Sequence, residues 1–137
     1  WRAPRARGGG PARTPKVYVY GVLSSSDIGG DLSCAHDLVA YPESEADVAA
    51  LLAECAARRI AVVPFGGGSS VVQGVSAPPR ESGCAGSVAV DMVHMGAVLS
   101  IDEASQCARV QAGAYGPALE EGLRHAGLTL RHYPQSF

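Results

Sequence analysis

A chain of 137 residues with 47% hydrophobic content is the size and composition of one globular domain. A net charge of -2 gives no argument for nucleic acid or an anionic membrane surface as a partner. No run approaches the roughly 20 apolar residues of a membrane span, and the four cysteines, Cys34, Cys55, Cys84 and Cys107, form no Cys-x-x-Cys pair. Free buried thiols in a reducing, cytoplasmic setting are therefore expected, not a disulfide framework. Zinc is poorly supported, because Cys34 and His36 have no second ligand pair at finger spacing.

Residues 1–30 are expected to form a poorly ordered leader. Arg2, Arg5, Arg7, Arg13 and Lys16 occur there without an acid before residue 17, and the short alternating run Val17–Tyr20 offers too little apolar surface to offset the entropy of ordering. An Arg-rich, acid-free leader also has the character of an organellar transit peptide. The chain opens on Trp1, however, so a fragment or an extended gene prediction is the preferred reading.

Order is expected from residue 31 onward, beginning with a short strand over residues 36–42 that Pro42 ends. A helix follows. Ser44 is its N-cap, Asp47 completes a capping box, and Val48, Leu51, Leu52, Cys55 and Ala56 recur at helical spacing. Arg58 and Arg59 fall in the last turn, where the helix dipole favours positive charge. Ile60–Val63, three of them β-branched, read as a buried strand parallel to the first, with Pro64 ending its ladder.

The sequence then runs Pro64-Phe65-Gly66-Gly67-Gly68-Ser69-Ser70. Three glycines leave successive backbone N–H groups with no side chain over them, so an anion can approach the main chain, and two hydroxyls stand at the exit. The pattern suggests a phosphate cradle at the end of a strand. A tight turn or flexible connector has the same composition, and the loop alone leaves both readings open. A P-loop is excluded by the absence of Gly-Lys-Ser/Thr, and a Gly-x-Gly-x-x-Gly fingerprint by the spacing from Gly66 and Gly68 to Gly74.

Residues 77–86 read as a connection. Strands are expected over 87–92, 97–102 and 107–112, the last two paired antiparallel through the short polar link 102–106. Gly113 and Gly116 bracket a turn, and Pro117 opens a helix with Leu119, Leu123 and Ala126 on one face and Gly127 beyond its end. Leu128–Leu130 is expected to begin another strand. Asp91, Asp102 and Glu103 lie at strand ends and Glu120 and Glu121 near a helix start, where solvation explains them. His94, His125 and His132 are scattered. No nucleophile elbow or His-Glu-x-x-His occurs, so catalytic residues remain unknown and no metal site is assigned.

The succession Tyr41-Pro42, capped helix, Ile60–Gly74 around Pro-Phe-Gly-Gly-Gly-Ser-Ser, Val90-Asp91-Met92, Val110–Gly113 and His132-Tyr-Pro-Gln-Ser-Phe137 resembles the FAD-binding domain of the vanillyl-alcohol oxidase and p-cresol methylhydroxylase (PCMH-type) superfamily. Within it the motifs are most similar to the alkyldihydroxyacetonephosphate synthase branch, and the likeness covers about residues 36–137. It implies an α+β fold comprising the N-terminal part of that domain: a parallel β-α-β start, then antiparallel strands and a helix. It also implies FAD as cofactor, with Pro64, Phe65, Gly66, Gly67, Gly68, Ser69 and Ser70 wrapping the pyrophosphate and Gln135, Ser136 and Phe137 opening a second cofactor loop. Relatives that attach flavin covalently through the first loop carry a histidine beside the glycines; Ser69 and Ser70 stand there, which implies non-covalent FAD.

Family members continue past the second loop into a substrate-capping domain that carries most catalytic residues, so a small-molecule substrate would be met by that missing part. The resemblance thus implies the FAD-binding portion of a flavin-dependent oxidoreductase acting on a hydroxy acid or alcohol, this piece alone being inactive. Two alternatives stand beside it: an ether-lipid enzyme like alkyldihydroxyacetonephosphate synthase, and a non-catalytic nucleotide-binding or interaction module or inactive truncated product.

Overall fold

The structure is a computed structural model and describes residues 16–18, as backbone, and 35–132. Its elements are β1 (Lys16–Tyr18), β2 (Leu38–Tyr41), α1 (Glu45–Arg58), β3 (Ile60–Phe65), β4 (Gly86–Asp91), β5 (Val98–Asp102), β6 (Cys107–Val110) and α2 (Gly116–Arg124). One sheet has the order β1-β2-β4-β3, and β5 with β6 forms a second, antiparallel sheet. The α+β class and the parallel opening are as the sequence implies, since β2 and β3 both run parallel to β4. The late strand β4 inserts between them, so consecutive strands of the β-α-β unit are not neighbours.

Local chemistry starts α1 where the capping pattern predicts. Ser44 Oγ accepts a hydrogen bond from Asp47 N at 3.2 Å and donates to Asp47 Oδ2 at 2.9 Å. Asp47 Oδ2 also accepts from Glu43 N, so the return bond of the box falls on the residue before the cap and not on the Ser44 amide itself. At the other end Arg59 adopts the left-handed conformation and its N–H returns to Ala56 O, which turns the chain directly into β3.

The core joins Leu51 and Cys55 of α1 to Ala40, Val88 and Val90, with Leu38, Ile60, Val62 and Met92 packed around them. These alternate positions on three strands make one sheet face, which the helix covers. Burying a side chain such as Leu51 is worth about 1.5–3 kcal/mol, so this seam fixes α1 on the sheet. The stripe is narrower than its periodicity suggests: Leu52 is 48% exposed, and Ala56 is also exposed.

Two expectations about β3 are corrected. It is a half-buried edge strand, and the buried central strand is β4, flanked on both sides. Pro64 does not end the ladder; it lies within β3 opposite Val90. An edge strand tolerates proline because one side of its backbone has no ladder partner to lose.

The β5–β6 hairpin forms as expected, with an irregularity between Val98 and Ser100. Helix α2 starts one residue before Pro117 and buries Leu123. Gly127, at φ +69, closes its end, with Leu128 N donating to Leu123 O at 3.1 Å. Leu128–Leu130 is not a strand. Its backbone is drawn to α2 instead: Leu130 N donates to Glu120 Oε1 at 3.0 Å, and Thr129 Oγ1 to Glu120 Oε2 at 2.7 Å. Of the leader, residues 16–18 pair antiparallel with β2, and the rest of 1–30 lies outside the described residues.

Candidate functional site

The parallel strands β2, β4 and β3 end together at Tyr41, Asp91 and Phe65. Phe65 and Asp91 are in register, and Met92 N donates to Phe65 O at 3.2 Å. In open α/β arrangements ligands bind beyond such carboxyl ends, and the glycine loop leaves β3 at this edge.

Each glycine there has a different reason. At Gly66 a Cβ would meet nothing within 4 Å, and at Gly67 only the Tyr115 ring, at 3.7 Å from Cε1. Their main chain is therefore bare to an approaching ligand. Gly68 is required by the backbone, with φ +68 and the Phe65 ring beneath it. Ser69 is exposed. Ser70 Oγ accepts from Gly74 N at 2.8 Å, so it ties the loop to itself and retains a hydrogen to donate. Beyond it Val71 and Val72 are 97% and 89% exposed. The first predicted group, Pro64 to Ser70, is thus contiguous at one edge. Gln135, Ser136 and Phe137 lie outside the described residues.

A second segment backs the loop. Gly113 N donates to Met95 O at 2.8 Å, and a Cβ on Gly113 would collide with the Met92 carbonyl oxygen. That close approach locks residues 113–115 against the turn after β4 and sets Tyr115, the N-cap residue of α2, beside Gly67. Tyr115 makes no side-chain capping bond and is 43% exposed. In the sequence Gly113 reads as a turn residue and as the end of the Val110–Gly113 motif of the resemblance, and Tyr115 carries no signal of its own. The signal was a glycine required by a chain segment some 20 residues earlier, which no local pattern contains.

The charged groups nearby have structural uses. Asp91 Oδ1 accepts from Val93 N at 3.0 Å and shapes the turn after β4. Asp102 caps the hairpin, and hydrogen bonds from Ser105 and Ala104 hold its carboxyl below the usual range. Glu121 pairs with Arg124 at 2.7 Å and lies 3.6 Å from His125. The His94 ring lies 5.9 Å from that of Tyr41. Among the described residues no group of three His, Cys, Asp or Glu side chains is arranged to hold a metal ion. Among the described residues, a polar cleft of about 130 Å³ near Asp37 and Cys84 and an apolar one of about 210 Å³ between α1 and the sheet lie away from this edge.

An α+β sheet that presents a bare glycine loop at the carboxyl ends of its parallel strands has the form of a nucleotide-cofactor domain. The chain belongs to the family of FAD binding domains, which it matches over residues 36–137. Its cofactor is accordingly FAD. It is 33% identical over 108 residues to the alkyldihydroxyacetonephosphate synthase of Dictyostelium discoideum and 32% identical over 100 residues to that of Caenorhabditis elegans. These alignments cover 79% and 73% of this chain but only 17% and 16% of the relatives. A solved structure of an alkyldihydroxyacetonephosphate synthase superimposes with a TM-score of 0.68 at 34% identity, covering 76% of this chain and 19% of that one. The chain thus spans about a sixth of the length of the curated relatives. No described helix is long and apolar enough to cross a membrane.

Proposed function

We propose that Pro64 to Ser70 hold the FAD pyrophosphate without a covalent bond to flavin, in a polypeptide that works as a flavin-dependent oxidoreductase on a hydroxy acid or alcohol. The observation that carries the cradle is the bare main chain at Gly66 and Gly67, at the carboxyl edge of the sheet. Backbone N–H groups there meet the negative charge, Ser69 and Ser70 donate from the loop exit, and Gly68 with Phe65 keeps the curve. FAD, when bound, supplies the redox chemistry; the residues of this chain bind and orient it. Gln135 to Phe137 are assigned to the cofactor's other side on resemblance alone.

A second reading is favoured by the relatives' names: an enzyme like alkyldihydroxyacetonephosphate synthase, exchanging an acyl for an alkyl group on a phosphorylated ketone. The complete polypeptide, purified and denatured, tests the common ground. Release of free FAD supports non-covalent binding; a colourless protein that takes up no added FAD overturns the flavoprotein assignment, and flavin retained on the denatured chain overturns the non-covalent one. Anaerobic bleaching of the flavin by hydroxy acids or alcohols favours the first chemistry. Alkyl exchange without net flavin reduction favours the second.

A further inference from the structure

His36 stands just before β2, remote in sequence from the glycine loop, and is 5% exposed. Its Nε2 lies 2.9 Å from Val75 O. A carbonyl oxygen only accepts, so Nε2 carries a hydrogen and donates it. Its Nδ1 is buried and has no hydrogen-bond partner among the described residues. A buried imidazole with one nitrogen unused is more polar than packing requires, and its one bond reaches the far arm of the loop.

Up to Gly74 that arm has little packing to hold it, and burial begins only at Val75, which is half-buried. Val71 and Val72 make almost no burial, and Gly66 to Gly74 are exposed. Residues 70–76 are closed on themselves by Gly74 N to Ser70 Oγ and by Ser76 N to Gln73 O at 3.0 Å, with Gln73 at φ 57. The near arm is fixed to the sheet through Phe65 O and Met92 N. The turn 70–76 is thus a small closed unit, and the His36–Val75 bond moors it to the start of β2.

We propose that His36 is a positioning residue for the cofactor loop: its Nε2–H to Val75 O bond holds the exit arm in place, so that Gly66–Ser70 meet FAD already curved. This rests on the assignment of FAD to that loop. A loop ordered in advance spares the ligand the entropy of ordering it.

The test uses the complete polypeptide stripped of flavin. His36→Phe keeps a buried ring and removes the donor. His36→Gln places an amide nitrogen near the position of Nε2. Replacing one hydrogen bond should weaken FAD binding about tenfold in the Phe variant and restore most of it in the Gln variant. Amide hydrogen exchange over residues 70–76 of the flavin-free protein should rise in the first and return toward normal in the second. If the Phe variant does not fold, His36→Asn, too short to reach Val75 from the same backbone, takes its place. Unchanged FAD affinity and exchange without the donor overturn the proposal, as does equal loss in the Phe and Gln variants, which would assign the effect to ring packing. Gly67→Asp separates the two levels: if it leaves FAD binding intact, the loop assignment itself fails, whereas its loss beside a fully active Phe variant rejects only the tether.

Discussion

Phe65 supports Gly68 from beneath: a Cβ at residue 68 would lie 2.9 Å from Phe65 Cζ and 3.3 Å from Cε2, and the Gly68 backbone is left-handed at φ +68. Two independent penalties therefore meet at one residue. Gly68→Ala is expected to destabilise the flavin-free protein by about 1–3 kcal/mol, the range for a non-glycine residue forced into a sparsely populated conformation. In the Phe65→Leu background the ring is absent and only the backbone penalty persists, so the two changes should be less than additive in urea denaturation. Strict additivity would show that the ring does not constrain Gly68.

Gly67 gives the opposite outcome. Its nearest non-local neighbour is the Tyr115 ring, at ordinary contact distance, and its φ is not in the left-handed range. Gly67→Asp should therefore change folding stability little while placing a carboxylate where the proposed pyrophosphate lies. Flavin retention should be abolished with the denaturation midpoint of the flavin-free protein within a few tenths of a kcal/mol of the parent, as for substitutions that touch no special feature. Unchanged FAD affinity would show that the cradle is misplaced.

The contrast between these glycines also marks how far sequence could be read. The Ser44–Asp47 box, the 102–106 hairpin and the Gly127 helix end were legible because partners lie within six residues. The glycine loop was legible as bare backbone, but not which glycine is needed for what, because Phe65 and Tyr115 decide that in three dimensions. The insertion of β4 between β2 and β3, the wedge of Gly113 against Met92 and the mooring of Val75 by His36 join residues far apart in the chain. Leu128–Leu130 failed for the same reason. Its apolar alternation suits a strand, and the carboxylate of Glu120 captures its backbone instead.

That capture is testable. Glu120→Ala removes the acceptor of both Leu130 N and Thr129 Oγ1. These bonds are exposed, so global stability should fall by no more than about 1 kcal/mol. The Leu130 amide should nevertheless exchange with solvent markedly faster, while amides within β4 keep their protection. Unaltered exchange at Leu130 would mean that this carboxylate does not hold the segment.

Cys55 supplies a pH dependence. Its side chain is 4% exposed, and burial, with Glu54 adding to it and Arg58 opposing, pushes the thiol above its ordinary value of 9.0. Below that value the thiol keeps its proton in folded and unfolded chains alike, and the contribution to stability is complete. As the pH rises past it the unfolded thiol ionises first, so stability falls until the folded thiol ionises too. Cys55→Val should flatten this alkaline limb, since the adjoining apolar cavity of about 210 Å³ gives the extra methyl room. In the parent protein at neutral pH, iodoacetamide should label the exposed Cys84 and Cys107 well before Cys55. Labelling of Cys55 at a rate equal to theirs, located by peptide mass mapping, would contradict a buried thiol whose ionisation is suppressed.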